Sequence, residues 1–89
     1  MTGGWKIADM QPGNLPEKVA TAFGDVTQAL RGATYVPVLY CGEQVVHGMN
    51  YMIICKQKLA TLSAPEHIVK MVINCCEEGS SIVEIEQIV

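Results

Sequence analysis

One stretch of this 89-residue sequence has the spacing of an amphipathic helix, and the chain after it has the alternation of β-strands. In that stretch apolar residues recur at steps of three and four, which places them on one helical face. Asn14 is positioned as the N-cap with Glu17 three residues later, as in a capping box, and Gly32 follows where helices commonly end. We therefore predict a helix over residues 14–31. Its apolar face consists of Leu15, Val19, Ala22, Phe23, Val26 and Leu30.

After Gly32, apolar and polar residues alternate as in half-buried antiparallel strands. Val36, Val38 and Tyr40 are predicted to share one face of the first of these strands. Pro37 predicts an edge position or a bulge, because proline cannot donate to a strand ladder. Short connections between the strands predict hairpins. The predicted strands cover residues 35–46, 49–59, 67–76 and 81–89, and residues 5–10 are expected to add a strand before the helix.

The helix must bury its apolar face, and the partner that this sequence offers is one face of the sheet. The predicted fold is therefore α+β, with one α-helix packed across a four- to five-stranded antiparallel sheet in the order β-α-β-β-β-β. A chain of 89 residues has room for one domain, residues 1–89, with a modest core. We expect Trp5 to pack as part of that core.

Charge and hydropathy exclude two classes of partner. The net charge of −3 argues against nucleic acid, which binds positive surfaces. The longest apolar run, residues 49–55, is too short to span a membrane, so we expect no membrane partner. The first ten residues lack the apolar segment of a signal peptide. We therefore expect a cytoplasmic protein.

The cysteines do not have the spacing of a metal site or of a disulfide framework. Cys41, Cys55, Cys75 and Cys76 include no C-x-x-C pair. We expect them to be reduced and packed as small apolar groups, with no metal and no cofactor bound. Cys41 and His47 are the Cys/His pair closest in sequence, but no third group to orient them is evident. We therefore expect that the chain is not an enzyme.

The turn between the first two long strands is unusually apolar. This turn, called the first tip below, consists of Gln44, Val45, Val46, His47 and Gly48. Strand-to-strand turns normally carry Gly, Asn, Asp or Pro. Exposed valines at such a position are costly in water, so we expect them to enter a partner.

The first tip and the residues after it read QVVHGMNY, and a Gly3-Gly4-Trp5 segment lies near the N-terminus. Together with the predicted element order, these motifs make the whole chain resemble the cystatin family, and most closely its stefin branch. Members of that branch are single-domain inhibitors of papain-like cysteine proteases without disulfides. The family's hairpin reads Q-V-V-A-G followed by x-N-Y, so His47 in place of alanine is a departure at this hairpin.

The resemblance implies reversible, non-covalent inhibition of papain-like cysteine proteases. In the family, the N-terminal segment and two hairpin tips form a blunt wedge that fills the cleft on both sides of the catalytic cysteine. Gly4 would bend the chain so that Thr2 and Gly3 enter the unprimed side of the cleft. The first tip would exclude substrate and water. The protease-binding residues that the resemblance implies are thus Gly3, Gly4 and the first tip.

Residues 75–81, called the second tip below, depart further from the family. They carry Glu77 and Glu78 where relatives place Pro beside Trp or Leu, and two carboxylates make a poor apolar plug. Two other interpretations of the first tip stay open: contact with some other partner, or a plain apolar turn. The chain would then be a non-inhibitory interaction or dimerisation module. A strained Val46 would favour opening of the first hairpin, so we expect a monomer that forms some strand-exchanged dimer at high concentration.

Overall fold

A computed structural model of the chain describes residues 3–10 and 12–89. The described strands form one sheet in the order β1-β2-β3-β4-β5, and each neighbouring pair is antiparallel. One helix packs against this sheet, which confirms the predicted α+β fold and its element order. The elements are β1 (Trp5–Ile7), α1 (Glu17–Gln28), β2 (Ala33–Val46), β3 (Gly48–Leu59), β4 (Glu66–Cys76) and β5 (Gly79–Gln87).

The helix begins later than predicted. Pro16 is its N-cap residue, and the Pro16 carbonyl accepts a hydrogen bond from the Ala20 N–H at 2.8 Å. Because the residue before a proline is steered to extended backbone, Leu15 and Asn14 lie outside the helix. No side chain among the described residues caps this end, so the predicted capping box of Asn14 and Glu17 is wrong.

The helix also ends earlier than predicted, at Gln28. Just after it, the Leu30 N–H donates to the Thr27 carbonyl at 3.1 Å. Gly32 has a φ of 85°, a left-handed conformation that favours glycine, and β2 begins directly at Ala33. Gly32 therefore marks the turn into β2 rather than the end of the helix. Within the described residues, no helix has the length and apolar character needed to cross a membrane.

The apolar face of α1 packs against one face of the sheet, called the inner face below. All of the predicted apolar positions are used. Val19, Ala22, Phe23 and Val26 are buried, and Leu15 and Leu30 pack against the same core from just beyond the helix ends. Burial of this apolar surface, at about 25 cal/mol per Å², is the main favourable contribution that holds the helix in place. The sheet contributes Tyr40, Tyr51, Ile53, Cys55, Val69, Met71 and Ile73.

Two bulges in β2 change which of its side chains face the core. The register with β3 shifts just after Pro37 and again just after Tyr40. Because successive side chains of a strand lie on opposite faces, each extra residue moves the following side chains to the other face. Val36 and Val38 are exposed while Tyr40 is buried, so the prediction that these three share a face is wrong. Pro37 lies beside the first bulge, outside the part of β2 that pairs with β1, as predicted.

Strand β1 is shorter than predicted and lies at one edge of the sheet. Trp5 pairs with Gln44, which pairs with Asn50 on β3. Since the buried core side chains of β3 are odd-numbered, this row lies on the outer face, away from α1. Trp5 is 36% exposed there, so the prediction that it packs in the core is wrong. A side chain at Gly42 would collide with the Lys6 carbonyl, so glycine allows β1 to approach β2 closely.

Truncation of Ile53 tests the assigned core. This side chain has 0% exposure, so we expect Ile53→Ala to lower the free energy of unfolding by about 2–5 kcal/mol through lost burial and a residual cavity. The matched control is Ile88→Ala, because Ile88 is 53% exposed and its truncation should cost less than about 1 kcal/mol. Urea denaturation followed by circular dichroism measures both. Equal losses would contradict the assigned core.

Candidate functional site

Both hairpins close at the same end of the sheet. Val46 pairs with Gly48 at the end of the β2–β3 hairpin, and Cys76 pairs with Gly79 at the end of the β4–β5 hairpin. Because β3 and β4 are neighbours, the two tips lie side by side. The N-terminal segment reaches the same end because β1 pairs with the last part of β2. We call residues 3–4, the first tip and the second tip the contact edge.

The N-terminal segment is tied to the first tip. The Gly3 N–H donates to the Val45 carbonyl at 2.8 Å, and the Gln44 side chain donates through Nε2 to the Gly3 carbonyl at 3.0 Å. A Cβ at Gly3 would lie 3.3 Å from the Val45 carbonyl oxygen, whereas one at Gly4 would meet no described atom within 4 Å. The close approach that favours glycine is therefore at Gly3. Thr2 lies outside the described residues.

The first tip displays an apolar side chain to solvent. Val45 is 59% exposed, Val46 is half-buried and His47 is exposed. The strain expected at Val46 is absent, because Ala64 is the one non-glycine residue with positive φ among the described residues. Gly48, with a φ of 86°, adopts the left-handed conformation at this turn instead.

Gly48 also brings the two tips into contact. An added Cβ at this position would collide with the Cys75 carbonyl and would lie 2.8 Å from the Cys76 Cβ. Only a residue without a side chain permits this approach. Glycine is therefore required at position 48 for two reasons: its left-handed backbone conformation and the close packing of the first tip on the second.

Two polar residues that are not among the predicted site residues support the contact edge from the outer face. Asn74 donates through Nδ2 to the His47 carbonyl at 3.2 Å and to Asn50 Oδ1 at 3.0 Å. Asn50 donates in turn to Gln44 Oε1 at 3.2 Å. Both the oxygen and the nitrogen of the Gln44 side-chain amide are therefore hydrogen-bonded within the chain.

The second tip is polar, as its sequence predicts. The Cys76 thiol donates to Glu78 Oε2 at 2.9 Å. This hydrogen bond raises the pKa of the Cys76 thiol and lowers the pKa of the Glu78 carboxyl, so the carboxylate form is favoured. Glu77 and Glu78 are exposed, and neither has an ion-pair partner among the described residues. This end of the contact edge is anionic.

The structure does not bring Cys41 and His47 together. Both lie along the extended β2–β3 hairpin, and six residues of strand span about 20 Å. Burial raises the pKa of the Cys41 thiol, the opposite of what an activated nucleophile requires. Among residues 3–10 and 12–89, no group of three or more His, Cys, Asp or Glu side chains is placed to hold a metal ion.

An open groove of about 620 Å³ lies between the start of α1 and the β4–β5 hairpin. Glu17, Lys18 and Asp25 line it from the helix, and Cys75 and Ser80 line it from the strands. Its open shape differs from the enclosed pockets that bind small ligands. The contact edge is therefore the better candidate for the functional site.

No protein-family model, no curated protein and no solved structure matches the chain.

Alanine at Gly48 tests the contact between the tips. Gly48 and Gly13 have similar φ values of 86° and 76°, so alanine at either should cost about 1–2 kcal/mol in backbone strain. At Gly48 alone the new Cβ also meets Cys75 and Cys76, whereas at Gly13 it meets no described atom within 4 Å. We expect Gly48→Ala to be more destabilising than Gly13→Ala by about 1–3 kcal/mol, measured by urea denaturation. Equal losses would argue against the packed tips.

Thiol labelling tests the state of the cysteines. Burial raises the pKa of Cys55 to about 12, so its thiolate fraction at pH 8 is about one in 10,000, compared with about one in four for an ordinary thiol. In a variant that retains only Cys55, we expect a disulfide reagent to react about a thousandfold more slowly than with the same variant unfolded in guanidinium. The folded protein reacts more slowly because a higher thiol pKa leaves less of the reactive thiolate at a given pH. Rapid labelling of the folded protein would contradict the assigned burial.

Proposed function

We propose that the chain is a reversible, non-covalent inhibitor of papain-like cysteine proteases that inserts its contact edge into the active-site cleft. The observation that carries the proposal is the exposed Val45 of the first tip, beside which Gly3 is held by a backbone hydrogen bond. An apolar side chain and a terminal segment are thus presented together at one end of the sheet. The cystatin-like motifs in the sequence supply the class of partner.

The driving force for binding would be burial of apolar surface. Val45 is 59% exposed at the end of a hairpin. Placing this side chain in a protease cleft would remove that surface from water, which is favourable at about 25 cal/mol per Å². Gly3 and Gly4 add backbone without bulky side chains, which suits a narrow cleft.

Binding would also require little ordering of the inhibitor. The first tip is a direct continuation of two long strands, and its left-handed position is a glycine. The N-terminal segment is already hydrogen-bonded to the tip before any partner is present. Interfaces that are formed in advance lose less conformational entropy on association.

Inhibition would be steric, with no bond made or broken. Burial raises the pKa of the Cys41 and Cys55 thiols, and the hydrogen bond from Cys76 to Glu78 raises that of Cys76. A thiol with a raised pKa is a weaker nucleophile at neutral pH, so these groups would not react with the protease. The first tip would exclude water and substrate from the catalytic cysteine by occupying the space.

The second tip would contribute little to affinity. Its exposed Glu77 and Glu78 would have to be desolvated in the cleft, which is costly without a cationic partner. We therefore assign most of the binding to residues 3–4 and the first tip. The same carboxylates favour the alternative function, a cystatin-like interaction module that does not inhibit proteases.

We also propose that the inhibitor acts in the cytoplasm as a monomer. All four cysteines are free thiols, which suits a reducing compartment. Since Val46 carries no backbone strain, a strand-exchanged dimer would depend on high protein concentration rather than on strain in the hairpin.

A charge on the first tip tests the proposal. Val45→Asp should weaken inhibition of papain about a hundredfold or more, because a carboxylate would have to be desolvated in the cleft. The matched control is Val83→Asp on β5, since Val83 is 58% exposed compared with 59% for Val45. We expect the control to change the inhibition constant less than about threefold.

The measurement is steady-state inhibition of papain by each purified variant, with circular dichroism to verify the fold. Absence of inhibition by the unmodified protein at micromolar concentration would reject the inhibitor and favour the interaction module. Equal weakening by Val45→Asp and Val83→Asp would reject the assigned site.

A further inference from the structure

Three side-chain amides lie in one row on the outer face of the sheet, next to the contact edge. The strand register pairs Gln44 with Asn50 and Asn50 with Asn74, so the three side chains are neighbours on adjacent strands. All three are half-buried. Hydrogen bonds of 3.0 Å and 3.2 Å connect them in sequence, and the row ends on the Gly3 carbonyl at 3.0 Å. The row therefore connects β4 to the N-terminal segment across two intervening strands.

The amides in this row all point in the same direction. Asn74 is the first amide of the row, and Asn50 and Gln44 each accept a hydrogen bond through their side-chain oxygen from the amide before them. All three donate through their side-chain nitrogen in the direction of Gly3. Asn74 sets this direction, because its Nδ2 also donates to the His47 carbonyl and both of its hydrogens are therefore used. Rotating a single amide by 180° would place oxygen against oxygen at its neighbour. The orientation of Asn74 thus determines that of Asn50 and Gln44.

We propose that Asn74 is a positioning residue for protease binding. Through the row of amides it holds the first tip, at the His47 carbonyl, and the N-terminal segment, at the Gly3 carbonyl, as one rigid unit. This inference rests on the proposed function for its partner, although the row itself is a property of the free protein. It also assigns Gln44 an internal role, since its side chain is engaged with the chain rather than offered to a partner.

The segment at Gly3 lies outside the regular pairing of β1 with β2. Gly3 lies before β1 begins, and its two hydrogen bonds are the one from its N–H to Val45 and the one from Gln44 at the end of the row. Loss of the second would leave a segment that must be ordered again on each binding event, which weakens association.

The test is Asn74→Asp, with Asn14→Asp as the matched control. The new carboxylate has no hydrogens to donate and would face the His47 carbonyl and Asn50 Oδ1. Asn14 is exposed and lies outside the row, so its change adds the same charge without breaking the row. We expect Asn74→Asp to increase amide hydrogen exchange at Gly3 about tenfold, the size expected for losing one or two neutral hydrogen bonds, with exchange at Ile53 in the core unchanged.

In papain binding, we expect the same variant to raise the dissociation rate about tenfold with little change in the association rate. The control should leave both rates within about twofold. A merely structural role would instead increase exchange at Ile53 together with Gly3, and that outcome would overturn the proposal.

A second variant keeps the proposal testable if Asn74→Asp does not fold. Gln44→Glu can still accept from Asn50 but cannot donate to Gly3, so it breaks only the last hydrogen bond of the row. Gln87→Glu, at an exposed position of β5, is its control. We expect faster exchange at Gly3 for Gln44→Glu alone.

The two proposals fail in different ways. If the unmodified protein does not inhibit papain, the proposed function fails, while the exchange experiment still tests the row. If it inhibits and Asn74→Asp or Gln44→Glu leaves exchange at Gly3 and the dissociation rate unchanged, the positioning role is overturned and the inhibitor stands.

Discussion

The packing of α1 on the inner face of the sheet is the interaction on which the rest of the molecule depends. A helix of 12 residues is marginal in water by itself, and an antiparallel sheet with one apolar face cannot remain exposed. Each element is therefore stable because it covers the other. Met49 and Cys75, close to the tips, pack against the same core, so the support given by the helix extends to the base of the contact edge.

The contact edge has two unlike ends. Around residues 3–4 and the first tip it carries no Asp, Glu, Lys or Arg and exposes Val45, whereas the second tip presents two carboxylates. Gly48 joins these ends by close packing against Cys75 and Cys76. A partner that fits this edge must bury the valine at one end and either solvate or neutralise the charges at the other.

Periodicity was sufficient to predict the helix, its apolar face and the α+β fold, because those features depend on spacing alone. The start of the helix was predicted too early, because Pro16, not Asn14, is its N-cap residue. Pro37 indicated an edge position or a bulge, but the reversal of Tyr40 was not predicted, because the pairing with β3 determines which residue of β2 is the extra one. Gln44 and Asn50 lie equally far from His47 along the sequence, so a hairpin that turns at His47 predicts that they pair. The position of Asn74 beside Asn50 could not be predicted in this way, because the longer β3–β4 connection does not determine the register between those two strands.

The bulges of β2 have a consequence for how its length can vary. Between them Tyr40 faces the core, and beyond the second bulge the strand returns to its earlier parity, which places Val45 on the inner side and Gln44 on the outer side. Deletion of a single residue that neither bulge absorbs would exchange these two side chains, so that an amide would replace the valine at the solvent-exposed position. Deletion of the extra residue of a bulge would instead leave both side chains in place. Variants with altered β2 lengths would therefore preserve the hairpin's surface by gaining or losing residues in pairs or at a bulge.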